Sequence, residues 1–209
     1  MADQDRRWSD RNFIGGDVSL DFANTAAGRT DGAPLTDGIE TYADLVAWSR
    51  AAGLLSATEA RRLGDLADRQ PDEAAATLDR AIRLREAVFA VFAATAAGRT
   101  PREDAIADLN DSLADALPNL KLAHAGNGFA WSWRDDNGAL DRMLWPIARA
   151  AAALLTECDP TRIRCCPGDD CGWLFVDLSR NGRRRWCDMR ICGNRNKAKR
   201  HYRKSRAVG

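Results

Sequence analysis

Only two histidines and two tyrosines occur among the 209 residues, and no apolar run approaches the length of a membrane span. The best stretch, Ile147 to Leu155, is interrupted by Arg149 and falls well short of the ~18–20 residues a span requires. Met1 to Asp10 is almost wholly polar, so no secretory segment is visible there and a cytoplasmic protein is expected. No Walker loop, dinucleotide glycine fingerprint or Ser-His-Asp set is present, and no enzymatic activity is expected. The chain has no Cys-x-x-Cys pair, which removes a thioredoxin-like redox site. Internal repeats are missing, and no heptad pattern supports a coiled-coil dimer.

Alanine, a strong helix former, is abundant. Gly38 to Gly53 carries Ile39, Tyr42, Leu45, Val46 and Trp48 at helical spacing, with Gly53 as a stop. Ser56-Ala-Thr-Glu59 reads as a capping box, in which the hydroxyl satisfies an orphan amide while the glutamate reaches back. Its helix ends near Gln70-Pro71. Asp72 to Ala97 is the longest predicted helix, striped by Leu78, Ile82, Leu84, Val88, Phe89 and Phe92. Thr100-Pro-Arg-Glu103 reads as a second capping box, with a helix running to about Leu117-Pro118. Lys121 to Trp133 differs: two short runs flank Gly126-Asn127-Gly128, a hairpin signal. Leu140 to Glu157 returns to helix, while alternation of Val18, Leu20 and Phe22 with Ser19 and Asp21 suggests a short strand. The expected fold class is α+β: a mostly helical domain over residues 1–160 with a small β-hairpin, then a small module over 161–209.

The formal charge of +1 hides a segregation. Arg162 to Gly209 holds 14 Lys/Arg and 4 Asp/Glu, a net of +10, whereas residues 1–161 hold 17 and 26, a net of −9. Such asymmetry suggests an anion-binding end on a body with another task. Five of the six cysteines, Cys165, Cys166, Cys171, Cys187 and Cys192, lie in the last 45 residues of the chain, and Cys158 sits just before them. In a reducing compartment clustered cysteines argue for metal rather than disulfides. Cys166-x4-Cys171 and Cys187-x4-Cys192 are two equal pairs 15 residues apart, the pattern of a structural Zn²⁺ site. Cys165 competes with Cys166 for the first ligand position. Four cysteines leave no open coordination position, so one structural ion is expected. Between the pairs, Trp173-Leu-Phe-Val-Asp177 reads as a strand, and Arg180-Asn-Gly-Arg183 as a turn sending the chain back towards Trp186-Cys187 in a small sheet. Trp173 and Trp186 would form the module's apolar core.

Nothing breaks a helix after Gly193, and that helix has almost no apolar stripe. It begins at the metal, which fixes its direction. Arg195, Lys197, Lys199, Arg200, Arg203 and Lys204 on the helix, with Arg183, Arg184 and Arg185 on the preceding turn, are the candidate nucleic-acid contacts. Asn194 is expected to bond a zinc-bound sulfur or to cap the helix.

Residues Arg164 to Tyr202, with Cys-Gly-Trp-Leu-Phe-Val-Asp at 171–177, Ser-Arg-Asn-Gly-Arg-Arg-Arg-Trp-Cys at 179–187 and Cys-Gly-Asn-Arg at 192–195, resemble the CGNR zinc finger. That resemblance implies a treble-clef-like fold, a DNA-binding role, and Cys166, Cys171, Cys187 and Cys192 as ligands. Gly15-Gly-Asp-Val-Ser-Leu-Asp-Phe-Ala-Asn-Thr25 resembles the opening of the ABATE domain, whose family implies a stress-induced transcription regulator.

Asp21 and Asn24 in that motif could line a ligand pocket, or could bond a turn or cap a helix. Trp131 and Trp133, two apart on a strand, could form an aromatic wall for a small molecule, or could pack on the body helices. His124 and His201 suggest no chemistry. The leading expectation is a DNA-binding transcription regulator whose N-terminal domain senses a ligand or mediates association, with a homodimer in view. An RNA-associated zinc protein and a zinc-stabilised protein-interaction module are the alternatives.

Overall fold

Helices form close to where the capping signals place them. The computed structural model describes residue 8 and residues 12–29, 34–134 and 138–206, without the side chains of residues 200, 201 and 203–206. The order is α1 (Val18–Ala23), β1 (Ala26–Ala27), β2 (Thr36–Asp37), α2 (Tyr42–Ala51), α3 (Ala57–Arg69), α4 (Pro71–Ala96), α5 (Glu103–Ala116), β3 (Leu120–Ala125), β4 (Gly128–Trp133), α6 (Leu144–Glu157), β5 (Ile163–Cys165), β6 (Leu174–Val176) and α7 (Asn194–Arg206). The Ser56–Glu59 capping box opens α3 as expected, and Thr41 with Asp44 forms another at α2.

Three local expectations need correction. Residues 18–23 are helical, because Asp17 caps them through Ser19 N at 2.8 Å. Ser19 through Ala23 are all buried, and in a segment buried all round neither periodicity is diagnostic. No capping box forms at Thr100: Arg102 is the N-cap of α5, without a side-chain cap, and Asp104 is engaged with the Arg102 guanidinium. Finally, β6 pairs with β5, ahead of the first cysteine pair, rather than with a return strand at Trp186.

α4 is the spine of the body. It contacts α1, α2, α3, α5 and α6, burying Ala81, Leu84, Val88 and Phe92 among them. Two guanidiniums buried along α4 tie Arg29 and Asp37 to that helix. Arg85 grips Asp37 at 2.6 and 2.7 Å, and Arg29 grips Glu86 at 2.5 and 2.6 Å while lying 4.3 Å from the Phe89 ring centroid. Burial alone would raise the Glu86 carboxyl, but the Arg29 and Arg85 guanidiniums together outweigh it and hold the group below its ordinary range.

The C-terminal module is not a loose appendage. Ile163, Leu174 and Val176 belong to the same buried cluster as Leu20, Phe22 and Val88. Backbone bonds sew the two parts together: Val176 N to Gly15 O at 2.7 Å, and Gly28 N to Cys171 O at 3.1 Å. Asn24 completes the seam, accepting from Leu174 N at 2.8 Å and donating to Leu174 O at 2.9 Å.

Candidate metal centre and nucleic-acid interface

β5 delivers Cys166 and β6 starts just after Cys171, so the strand pair carries the first knuckle. Cys166 N donates to Trp173 O at 2.8 Å and Cys171 N to Gly168 O at 3.1 Å, closing a tight loop. Asp170 and Gly172 take positive φ of 56° and 68° to turn the chain there. An aspartate tolerates that region and a glycine enters it freely. A side chain at Gly172 would also meet the Arg29 backbone at 3.3 Å.

The second knuckle is held by two acids. Asp177, 1% exposed, accepts from Ser179 N at 2.9 Å and Arg184 N at 2.8 Å, fixing the turn before Cys187. Burial would raise this carboxyl, yet the bonds from Ser179 and Arg184 keep it below its ordinary value. Asp188 caps a single π turn, Met189–Gly193, that carries Cys192.

The sulfurs of Cys166, Cys171, Cys187 and Cys192 all lie within 4.8 Å of one another. Cys187 Sγ is 3.6 Å from both Cys171 Sγ and Cys192 Sγ. A tetrahedral ion with Zn–S bonds of about 2.3 Å requires S···S edges of about 3.8 Å, so the donor set fits zinc and is far too open for disulfides. Thiol hydrogen bonds from Cys171 and Cys187 pull the Cys166 thiol well down, while the contact with Cys166, aided by burial, pushes the Cys171 thiol up. Because the ligands bind as thiolates, zinc must displace the thiol protons that the cluster retains. Cys165 is exposed, with its Sγ 3.4 Å from Gly172 O, and stands outside the group. The four ligands are Cys166, Cys171, Cys187 and Cys192. Phe175, fully buried, is the apolar centre beneath them, with Trp173 and Trp186 only partly buried against it.

Residues 16–157 match the family described as “Putative stress-induced transcription regulator”, ABATE, and residues 162–205 match the CGNR zinc finger. The chain belongs to the ABATE family. No curated protein matches it. The zinc site therefore sits in a CGNR finger packed directly on an ABATE body.

The basic residues of the CGNR finger divide by what they touch. Arg183, Arg185, Arg195 and Lys197 are exposed, and Arg185 lies 5.1 Å from the Trp186 ring centroid. Arg184 is not available. Its guanidinium donates to Trp186 O at 3.1 Å, to Ile14 O at 3.0 Å and to Cys187 O, and lies 4.4 Å from the Phe175 centroid. It ties the second knuckle to the N-terminal segment of the body. Lys199 bonds Asp169 at 2.6 Å, which anchors α7 to the first knuckle and offsets that charge. The side chains of Arg200, Arg203, Lys204 and His201 lie outside the described residues. Arg164, Arg180 and Arg190 are exposed finger cations that the sequence reading did not single out, and their place around the cysteines was the available signal. Asn194 is exposed at the start of α7. Among the described residues its side chain makes no hydrogen bond to a ligand sulfur, because it faces solvent.

Of the four proposed pocket residues, Asp21, Asn24 and Trp133 are engaged within the fold, while Trp131 stays exposed. Asn24 is taken by Leu174, and Asp21 accepts from Gly15 N at 2.7 Å. Trp133 lies 6.1 Å from Trp145, and Trp131 is 60% exposed with Arg149 over its ring. Burial, with a smaller contribution from Asp17, raises the Asp21 carboxyl to about 6 against some opposing help from Gly15. A folded pKa above the unfolded one means that the folded state binds the proton more tightly. The stability this gives is full below about 4 and is lost as pH rises through about 6, amounting to about 3 kcal/mol at most. Asp21→Asn keeps the acceptor for Gly15 without the charge. Urea melts between pH 4 and 7 are expected to show the variant gaining on wild type across that window. A parallel pH profile for the two proteins would refute the burial argument.

Proposed function

We propose that this ABATE protein is a DNA-binding transcription regulator with no catalytic step. The CGNR finger supplies affinity for the phosphate backbone, and the ABATE body senses a ligand or mediates association. One observation carries the reading. Exposed Arg183, Arg185, Arg195 and Lys197 are mounted on a zinc-fixed, treble-clef-like scaffold, with α7 pinned to the knuckle by Lys199–Asp169. Four thiolates on Zn²⁺ leave the centre at −2, so the finger, net +10 by sequence, keeps about +8. Rigid cations meet a polyanion with less entropy lost than a free basic tail would lose. The sensing role is supported by an apolar groove of about 1030 Å³ between α2, α3 and α4, floored by Val46, Ala60, Ala74 and Leu78.

The test is fluorescence anisotropy on a labelled random duplex in rising salt. About six phosphate contacts give a log–log slope near −5. Absence of binding at low salt, or a slope near zero, would falsify the proposal. Stronger competition by structured RNA than by duplex DNA would move the target to RNA.

A further inference from the structure

We propose that the β3–β4 hairpin is the surface through which two copies of this chain associate. This deepens the association role suggested for the ABATE body, and it does not depend on the finger binding DNA. Residues directly opposite in an antiparallel pair share a face, so Leu120/Trp133, Leu122/Trp131 and His124/Phe129 form one side of the hairpin. Only the first rung is well covered, by Trp145 of α6. At the second, Arg149 lies over Trp131 at 5.5 Å. Beyond that contact the rungs outrun the helix: Leu122, Trp131 and Phe129 are 59%, 60% and 72% exposed.

Among the described residues β3 and β4 pair only with each other, so both outer edges are unpaired. A bare two-stranded hairpin is marginal in water, and an apolar rung left wet adds nothing to it. Open edges beside exposed aromatics form a surface that proteins cover or blunt.

The occupant that fits is a second copy. Lys121 lies on the opposite side of the hairpin, with Ala123, Ala130 and Ser132, so the apolar side holds no carboxylate or lysine with which to select an oppositely charged partner. Apart from His124 the rungs are aromatic and aliphatic, and Arg149 is stacked on Trp131; such a face is complementary to itself about a two-fold axis. Its size also suits. Aromatic side chains bury about 150–250 Å² each, so two copies of Trp131, Phe129 and Leu122 with their strand backbones bring together on the order of 1,000 Å², where specific interfaces begin.

Sedimentation velocity on the zinc-loaded full chain, without nucleic acid, tests this from about 1 to 200 μM. The expected species is twice the 22.9 kDa chain. Phe129→Glu and, separately, Leu122→Lys are each expected to weaken the dimer at least about 30-fold. Zinc content, far-ultraviolet dichroism and affinity for a short single-site duplex should stay unchanged. A monomer across the whole range, open-ended aggregates in place of a dimer, or a dimer that both variants leave intact each overturns the proposal. So would loss of single-stranded nucleic-acid binding on a hairpin that never dimerises, which would assign the aromatics to base stacking. Duplex affinity is read separately, so failure of the dimer and failure of DNA binding are told apart.

Discussion

Stripping the metal with excess chelator is expected to lower the melting temperature of the whole chain by about 10–35 °C, in a single transition. Structural zinc contributes about 10–16 kcal/mol of apparent binding energy, comparable to the entire stability of a domain. Without it the four sulfurs have no common partner, and the short β5–β6 pair has little else to shape it. That pair contributes Ile163, Leu174 and Val176 to the core of the ABATE body. Three such side chains represent about 5–9 kcal/mol of apolar burial, and at this chain length each kcal/mol is worth about 2–4 °C. Differential scanning calorimetry with and without chelator reads the result. A body that melts at an unchanged temperature while only the finger is lost would show that the shared core is not cooperative.

Replacing Asn24 with leucine should destabilise the protein by about 2–5 kcal/mol, measured as a shift in urea midpoint at constant slope. The amide satisfies both the N–H and the C=O of Leu174 from a position 150 residues away, and Asn24 is 4% exposed. Leucine leaves two buried backbone groups unpaired, at about 1–3 kcal/mol each. Asn24→Asp sharpens the test. Its carboxylate still accepts from Leu174 N but repels Leu174 O, so its deficit should shrink in acid, where a protonated carboxyl donates again. A change of less than about 0.5 kcal/mol for the leucine variant would mean that water replaces the seam.

What could be read in advance was local. Ser56 and Glu59 stand three apart and satisfy each other's backbone whatever surrounds them, so the start of α3 was visible. The four cysteines were visible because thiolates in that spacing have few other uses. The exclusion of Cys165 was not, since two adjacent sulfurs point apart only once β5 has a direction. The seam was hidden for the same reason: nothing near Asn24 announces Leu174. Among three consecutive arginines, which side chain turns inward was not read from the sequence, and the fold shows that it is Arg184. Even so, Trp186 was expected to face the module's core, and in extended chain the residue two before it shares that face. Alternation from Trp186 would have separated Arg184 from its neighbours.

The shared core also sets an order of events during synthesis. Helices α1 to α6 leave the ribosome before the segment holding Ile163, Leu174 and Val176. Until that segment arrives, the nascent helical bundle carries an open apolar notch beside Leu20 and Phe22, and Leu174 N–H and C=O must find the waiting amide of Asn24. Metal loading thus bears on more than the finger, because the strand pair it braces also closes the core of the helical bundle.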